Sequence, residues 1–229
     1  MRWGSRGWCA LLSGAMVLVT ADVLLGGPLR RVDWAVHAFC DAHVRGALLT
    51  AVHLVTKLGQ RGDLVVVIVP LAVIAGMRRR SLRYPVLSAA IVFGLSLLQA
   101  GLKAVIPRTY PYHDADVLFD GGNAYPSGHT LNAFVLVWVV LELVVVAFPS
   151  VRLPARRRRD VSLVTGWATA AALTVADEHW LTDVLFSLAL GPVLLALLVA
   201  ASPFSERSRS LGRPALPRRT GVGQPPPPR

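Results

Sequence analysis

The chain has 229 residues, of which 54% are hydrophobic and only 16% charged, with a net charge of +11 at pH 7. A soluble domain carries about 25% charged residues, and here the apolar residues come in long blocks, which points to a membrane protein. The arginines lie between those blocks and not on one basic face, which argues against a nucleic-acid binder. Two cysteines, Cys9 and Cys40, are too few for a disulfide framework.

Arg2 and Arg6 precede an apolar run over residues 8–25. A cleaved signal peptide competes with a membrane span here. No small-residue cleavage site stands before Gly26, so an uncleaved first span is expected. Residues 29–63 are mixed. Trp34, Ala35, Ala38, Phe39, Val44 and Leu48 suggest an amphipathic segment on the membrane surface, with core packing against the spans as the equal alternative. Residues 64–77 are apolar but short against the roughly 20 residues a span needs, so a second span must borrow from residues 58–63.

A third span is expected over residues 84–104, ending at Lys103, and a loop over residues 107–125. The fourth span follows His129 and ends near Pro149. Glu142 lies inside it, roughly 20 Å from His129 along a helix, and reads as structural or snorkelling. Residues 161–176 and 184–201 give the fifth and sixth spans. Residues 202–229, rich in arginine, serine and proline, read as a disordered tail. The expected fold is all-α, a polytopic six-helix transmembrane bundle over residues 1–201.

Charge sets the orientation. The N-terminus, Arg78 to Arg83, Arg152 to Arg159 and the tail together hold 17 of the 24 lysines and arginines. The positive-inside rule puts them, and both termini, on the cytoplasmic side. Lys103, the turn at Ser127-Gly128-His129 and the segment Asp177 to Asp183 then share the outer face of a plasma-membrane protein.

Those three segments carry the candidate chemistry. Pro126-Ser127-Gly128-His129 reads as a loop tightening into a helix N-terminus. Ser127 can cap, Gly128 permits close approach, and the free N–H groups with the helix dipole make an anion site. His129 adds a side chain that exchanges a proton near neutral pH. His179 and Asp183 are four apart and would share one helix face, where a carboxylate holds one imidazole nitrogen and leaves the other as a nucleophile. The alternative is an interfacial His–Asp hydrogen bond with Trp180 as a membrane anchor. Lys103 and Arg108 run against the positive-inside bias, which favours a role in holding an anion. The set suits phosphoryl transfer, where positioning and charge stabilisation dominate; no metal signature accompanies it, and a divalent ion held by His179 with Asp177, Glu178 and Asp183 is the lesser alternative.

In these residues the chain resembles the type 2 phosphatidic acid phosphatases, which include membrane lipid phosphate phosphatases. The resemblance covers residues 8–201 and rests on Pro126-Ser127-Gly128-His129, on His179-Trp180-Leu181-Thr182-Asp183 and on Lys103 upstream. It implies metal-free catalysis in which His179 attacks phosphorus and forms a phosphohistidine, Asp183 orients it, and His129 protonates the leaving alkoxide and then activates water. Lys103, Ser127 and the Gly128 backbone would hold phosphate oxygens. The chain departs from the pattern where an Arg-Pro is expected after the lysine, since Tyr110-Pro111 stands there with Arg108 two positions early. It also carries Ala172-Leu173 where Ser-Arg is expected. Losing one preorganised donor typically costs on the order of 10²–10³ in rate. Asp177 and Glu178 add negative charge nearby, and Arg108 is the candidate to compensate.

Three functions follow as expectations: hydrolysis of a membrane lipid phosphate or diphosphate, transfer of a phospho-head group on the same scaffold, or lipid binding without catalysis. The loop over residues 110–125, with His113, Asp114, Asp116 and Asp120, is expected to border the entrance.

Overall fold

The computed structural model describes residues 6–205. They fold into eight α-helices, α1 (Arg6–Leu25), α2 (Pro28–His43), α3 (Gly46–Thr56), α4 (Arg61–Arg79), α5 (Arg83–Val105), α6 (Gly128–Ala147), α7 (Ala155–Val175) and α8 (Leu181–Ala201). Short 3₁₀ turns occupy Lys57–Gly59 and Pro111–His113. The all-α expectation holds. The tail over residues 206–229 lies outside the described residues. Its expected start does not behave as a tail: Phe204 is buried against Trp138 and Tyr84, and Arg83 donates to the carbonyls of Pro203 (2.5 Å) and Ser205 (3.2 Å).

α6 is the axis of the bundle. It is apolar on all sides, and the other helices can bury that surface only by surrounding it. α4, α7 and α8 pack around it, α5 packs against α4, and α1 lies against α8. Phe134 of α6 is fully buried between two glycines: a Cβ at Gly166 of α7 or Gly191 of α8 would fall 2.5 or 2.2 Å from its ring. Small residues at these crossings let the helices close on the aromatic side chain. Glu142 pairs with Arg158 of α7 at 2.8 Å, which makes it a structural ion pair within the bundle.

Among the described residues, α5, α6 and α8 are long and apolar enough to cross a membrane. The number reaches five if each of two bent pairs is one span, Ala10–Leu25 with Pro28–His43 (81°) and Gly46–Gly59 with Arg61–Arg79 (46°). α7, expected as the fifth span, opens on Arg156 to Asp160 and is not among them. Val17, Leu18, Val66, Phe93, Leu97 and Val105 are exposed on the outside of the bundle, an outward apolar surface suited to lipid. The chain is therefore a helical multi-pass membrane protein.

The mixed region over residues 29–63 resolves into α2, α3 and a 3₁₀ turn. In α2 the buried stripe is Asp33, His37 and Cys40, whereas Val32, Trp34 and Phe39 are exposed. α2 thus turns its polar face inward.

Candidate active site

Ser127 is the N-cap of α6, and its Oγ accepts from the Thr130 N–H at 3.4 Å and from the Thr130 hydroxyl at 3.0 Å. Gly128 is the first helical residue, where a Cβ would stand 3.0 Å from Gln99 Oε1 of α5. Gly128 and His129 then open onto a cavity of about 460 Å³. Its wall is completed by Gln60, Arg61, Gln99, Lys103, Tyr110, Tyr112, Asn132, Glu178 and His179. Residues far apart in the chain, Lys103, Gly128, His129 and His179, are therefore brought to one place. Ser127 is fully buried behind the wall and does not line it.

His179 meets Asp183, but not across a helix face. α8 begins at Leu181, so His179 lies in the turn before it and Asp183 in its first turn. Asp183 reaches back: Oδ2 accepts the Trp180 N–H at 3.1 Å and faces His179 Nδ1 at 3.3 Å. An acidic residue in the first turn also complements the helix dipole. With Nδ1–H given to the carboxylate, Nε2 of His179 keeps its lone pair. His129 Nε2 stands 2.6 Å from Gln60 Oε1, an acceptor, so that nitrogen carries the proton.

Arg108 does not face the cavity. It is fully buried, and all five of its N–H groups are taken. Nε donates to Asp116 Oδ1 (2.7 Å) and Nη2 to Asp116 Oδ2 (2.9 Å) and Asp33 Oδ2 (2.7 Å). Nη1 donates to Thr182 Oγ1 (2.7 Å) and Asp183 Oδ1 (2.8 Å). The expectation that Arg108 binds substrate phosphate is corrected on this ground: no donor is left. Burial disfavours its charge, but the bond to Asp116 and the charges of Asp183 and Asp33 outweigh it and hold the guanidinium protonated. Asp116, although burial opposes its ionisation, is held below the usual carboxylate range by Arg108 and Arg30. It is therefore a buried strut and not part of an entrance. Trp180 is also buried, under the Arg108 guanidinium at 5.1 Å, with its indole N–H on the Thr109 carbonyl at 2.8 Å, so it is no membrane anchor.

The remaining candidates separate in the same way. Lys103 Nζ donates to the Asn123 carbonyl and lines the cavity. Tyr110, where an arginine was expected, also lines it, with its ring 5.5 Å from that of His179. Burial, with Tyr112 and Asp183 nearby, pushes its phenol above the usual value. Asp177 is drawn away from the cavity, both its oxygens 2.9 Å from His37 Nδ1, while Glu178 lines the cavity and pairs with His53 at 3.3 Å.

Sequence reasoning missed Gln60, Arg61, Gln99 and Asn132. Gln99 and Asn132 are single polar residues within apolar runs, and Gln60-Arg61 is a polar pair at the edge of one, signals shared with ordinary interfacial residues. It also missed Asp33 and His37, whose spacing on α2 was the available sign. Asp33 accepts from Thr182 N at 2.9 Å and from Thr182 Oγ1 at 2.6 Å, so α2 anchors the start of α8 from behind. Among the described residues, no group of three histidine, cysteine or acidic side chains is arranged to hold a metal ion.

A capped helix N-terminus, two imidazoles and a lysine around one cavity in a helical membrane body define the class, a family of membrane-embedded helical proteins. The chain belongs to the PAP2 superfamily, whose family model matches residues 82–207. Among solved structures it is similar to one described as the first transmembrane PAP2-type phosphatidylglycerolphosphate phosphatase from Bacillus subtilis. That match has a TM-score of 0.65 at 20% identity and covers 85% of this chain and 94% of the other. The fold is therefore shared. A comparison with curated proteins finds no match.

Proposed function

We propose that the chain is an integral membrane phosphatase that hydrolyses a lipid phosphate or diphosphate. The carrying observation is that His179, backed by Asp183 on Nδ1, lines the same cavity as His129, Lys103 and the N-terminus of α6. His179 Nε2 attacks phosphorus and the bond to the lipid alkoxide breaks. The alkoxide takes a proton from the His129 imidazolium, leaving a phosphohistidine. His129, now neutral, removes a proton from water; the water oxygen attacks phosphorus, and His179 departs as the free imidazole. Lys103 and the Gly128 end of α6 offset the charge on the phosphoryl oxygens. Asp183, fixed by Arg108 and the Trp180 N–H, stabilises the positive imidazole as it forms.

The topology proposed with this activity has six spans, α1 and α4 to α8, with α7 crossing by its residues 161–175 packed on α6, both termini cytoplasmic and the cavity opening outside the cytoplasm. The charge asymmetry of the connecting segments supports it. The test is phosphate release from a panel of lipid phosphates by the purified chain, with and without EDTA. Release that persists in EDTA and is abolished in His179→Ala is expected. Activity that needs a metal, or that survives His179→Ala, refutes the mechanism. A second reading, lipid binding without turnover, is favoured by Tyr110 packing on His179 and by the full occupation of Arg108. Binding of a lipid phosphate with no release by any variant would select it.

A further inference from the structure

We propose that Arg61 is the phosphate-binding arginine of this cavity, holding the oxygens of a phosphomonoester or diphosphate group. The proposal rests on the reading of the cavity as a phosphate site and supplies the guanidinium that the sequence lacks at Tyr110 and Leu173.

Arg61 is put there by the bend between the 3₁₀ turn and α4. That bend is pinned to the start of α6. A Cβ on Gly59 would lie 2.3 Å from the His129 carbonyl oxygen, so only glycine lets the turn approach so closely. Asn132 Nδ2 donates to the Gly59 carbonyl at 3.1 Å, and Gln60 holds His129. Arg61, the first residue of α4, follows directly and lines the cavity.

Its side chain is held but not spent. Nη2 donates to Gln99 Oε1, and Gln99 is itself buried and fixed through its amide to Asn132 Oδ1 at 2.9 Å. That uses one of five N–H groups. Among the described residues, no carboxylate lies within ion-pair distance of Arg61. Glu178, the acid on the same wall, pairs with His53. Arg108 is the opposite case, with every donor occupied by carboxylates and threonine.

An anion would suit the placement, although Asp63 also stands in this first turn and complements the dipole there. A cation in the first turn of a helix opposes the dipole. Arg61 is also close enough to Lys103 for the two positive charges to repel one another. A phosphate between them relieves both penalties, and the planar guanidinium can grip two of its oxygens where lysine supplies a point charge.

The experiment measures binding of inorganic phosphate to the purified full-length chain by calorimetry, alongside hydrolysis of a lipid phosphate in mixed micelles. Variants are Arg61→Gln, Arg61→Lys, Arg61→Ala and His179→Ala. Arg61→Gln is expected to weaken phosphate binding roughly 10–100-fold, in line with a charge-assisted hydrogen bond, and to raise KM for the lipid. Arg61→Lys should recover part of the loss, and His179→Ala should still bind phosphate. Methylguanidine added to Arg61→Ala should restore binding, which a purely structural arginine would not allow. Phosphate affinity unchanged in both Arg61→Gln and Arg61→Lys overturns the proposal, as does a wild-type chain that binds no phosphate. Arg61-dependent binding with no lipid turnover keeps it and removes the phosphatase reading. Should Arg61→Gln not fold, Arg61→Lys with wild-type affinity and KM overturns it equally.

Discussion

Replacing Arg108 by lysine separates two roles that the sequence cannot distinguish. In the structure Arg108 makes five hydrogen bonds, to Asp33, Asp116, Asp183 and Thr182. A lysine keeps the charge but has three N–H donors, so at least two of those bonds are lost. Each buried acceptor left without its donor costs about 1–3 kcal/mol, giving a loss of roughly 2–6 kcal/mol. For a chain of this size, 1 kcal/mol moves Tm by about 2–4 °C, so a fall of roughly 4–24 °C is expected. Full removal in Arg108→Ala leaves three buried carboxylates without their shared cation, and breaking even one such pair costs about 3–5 kcal/mol. The assay is thermal unfolding of the detergent-purified protein by tryptophan fluorescence, with KM and kcat for a lipid phosphate on the surviving fraction. Arg108→Lys should lower Tm and reduce kcat through a loosened Asp183, with KM little changed. A variant with wild-type Tm and a strongly raised KM would refute the reasoning, because it would mean that the guanidinium faces the substrate.

Further outcomes are expected. Asp183→Asn keeps the shape of the cap but presents an amide to His179, and should lower kcat on the order of 10⁴ by misplacing the imidazole proton, with lipid binding retained. Gly59→Ala drives a methyl group into the His129 carbonyl. Overpacking of this kind costs about 1–3 kcal/mol, so both Tm and activity should fall, and wild-type values for both would contradict the contact. Asp116 is ionised more readily in the folded chain than its ordinary value of about 3.9. Its contribution to stability is therefore present at neutral pH and lost as pH falls from about 3.9 through the depressed folded value. Thermal scans between pH 6 and about 3 should show that loss, and Asp116→Asn should flatten it.

Several features were legible in the sequence because they are local. The Ser127 cap and the start of α6 follow from residue types that satisfy orphan N–H groups. The His179–Asp183 contact was also foreseen, although the stated reason, a shared helix face, gives way to a cap in which Asp183 turns back on Trp180. Long apolar runs announced α1, α5, α6 and α8, since lipid demands them whatever the neighbours are. Which cation faces the cavity was a different kind of question. Arg61 and Arg108 are the same residue type, and both stand beside apolar segments. What separates them is the company the fold provides: Asp33, Asp116 and Asp183 converge on one, and only Gln99 holds the other. Such convergence depends on distances between segments far apart in the chain, and a linear pattern carries no such distances. Composition and local chemistry determined a helical membrane body with a capped helix start at Ser127. Tertiary packing alone decided which positive charge is neutralised inside the protein and which is left facing the cavity.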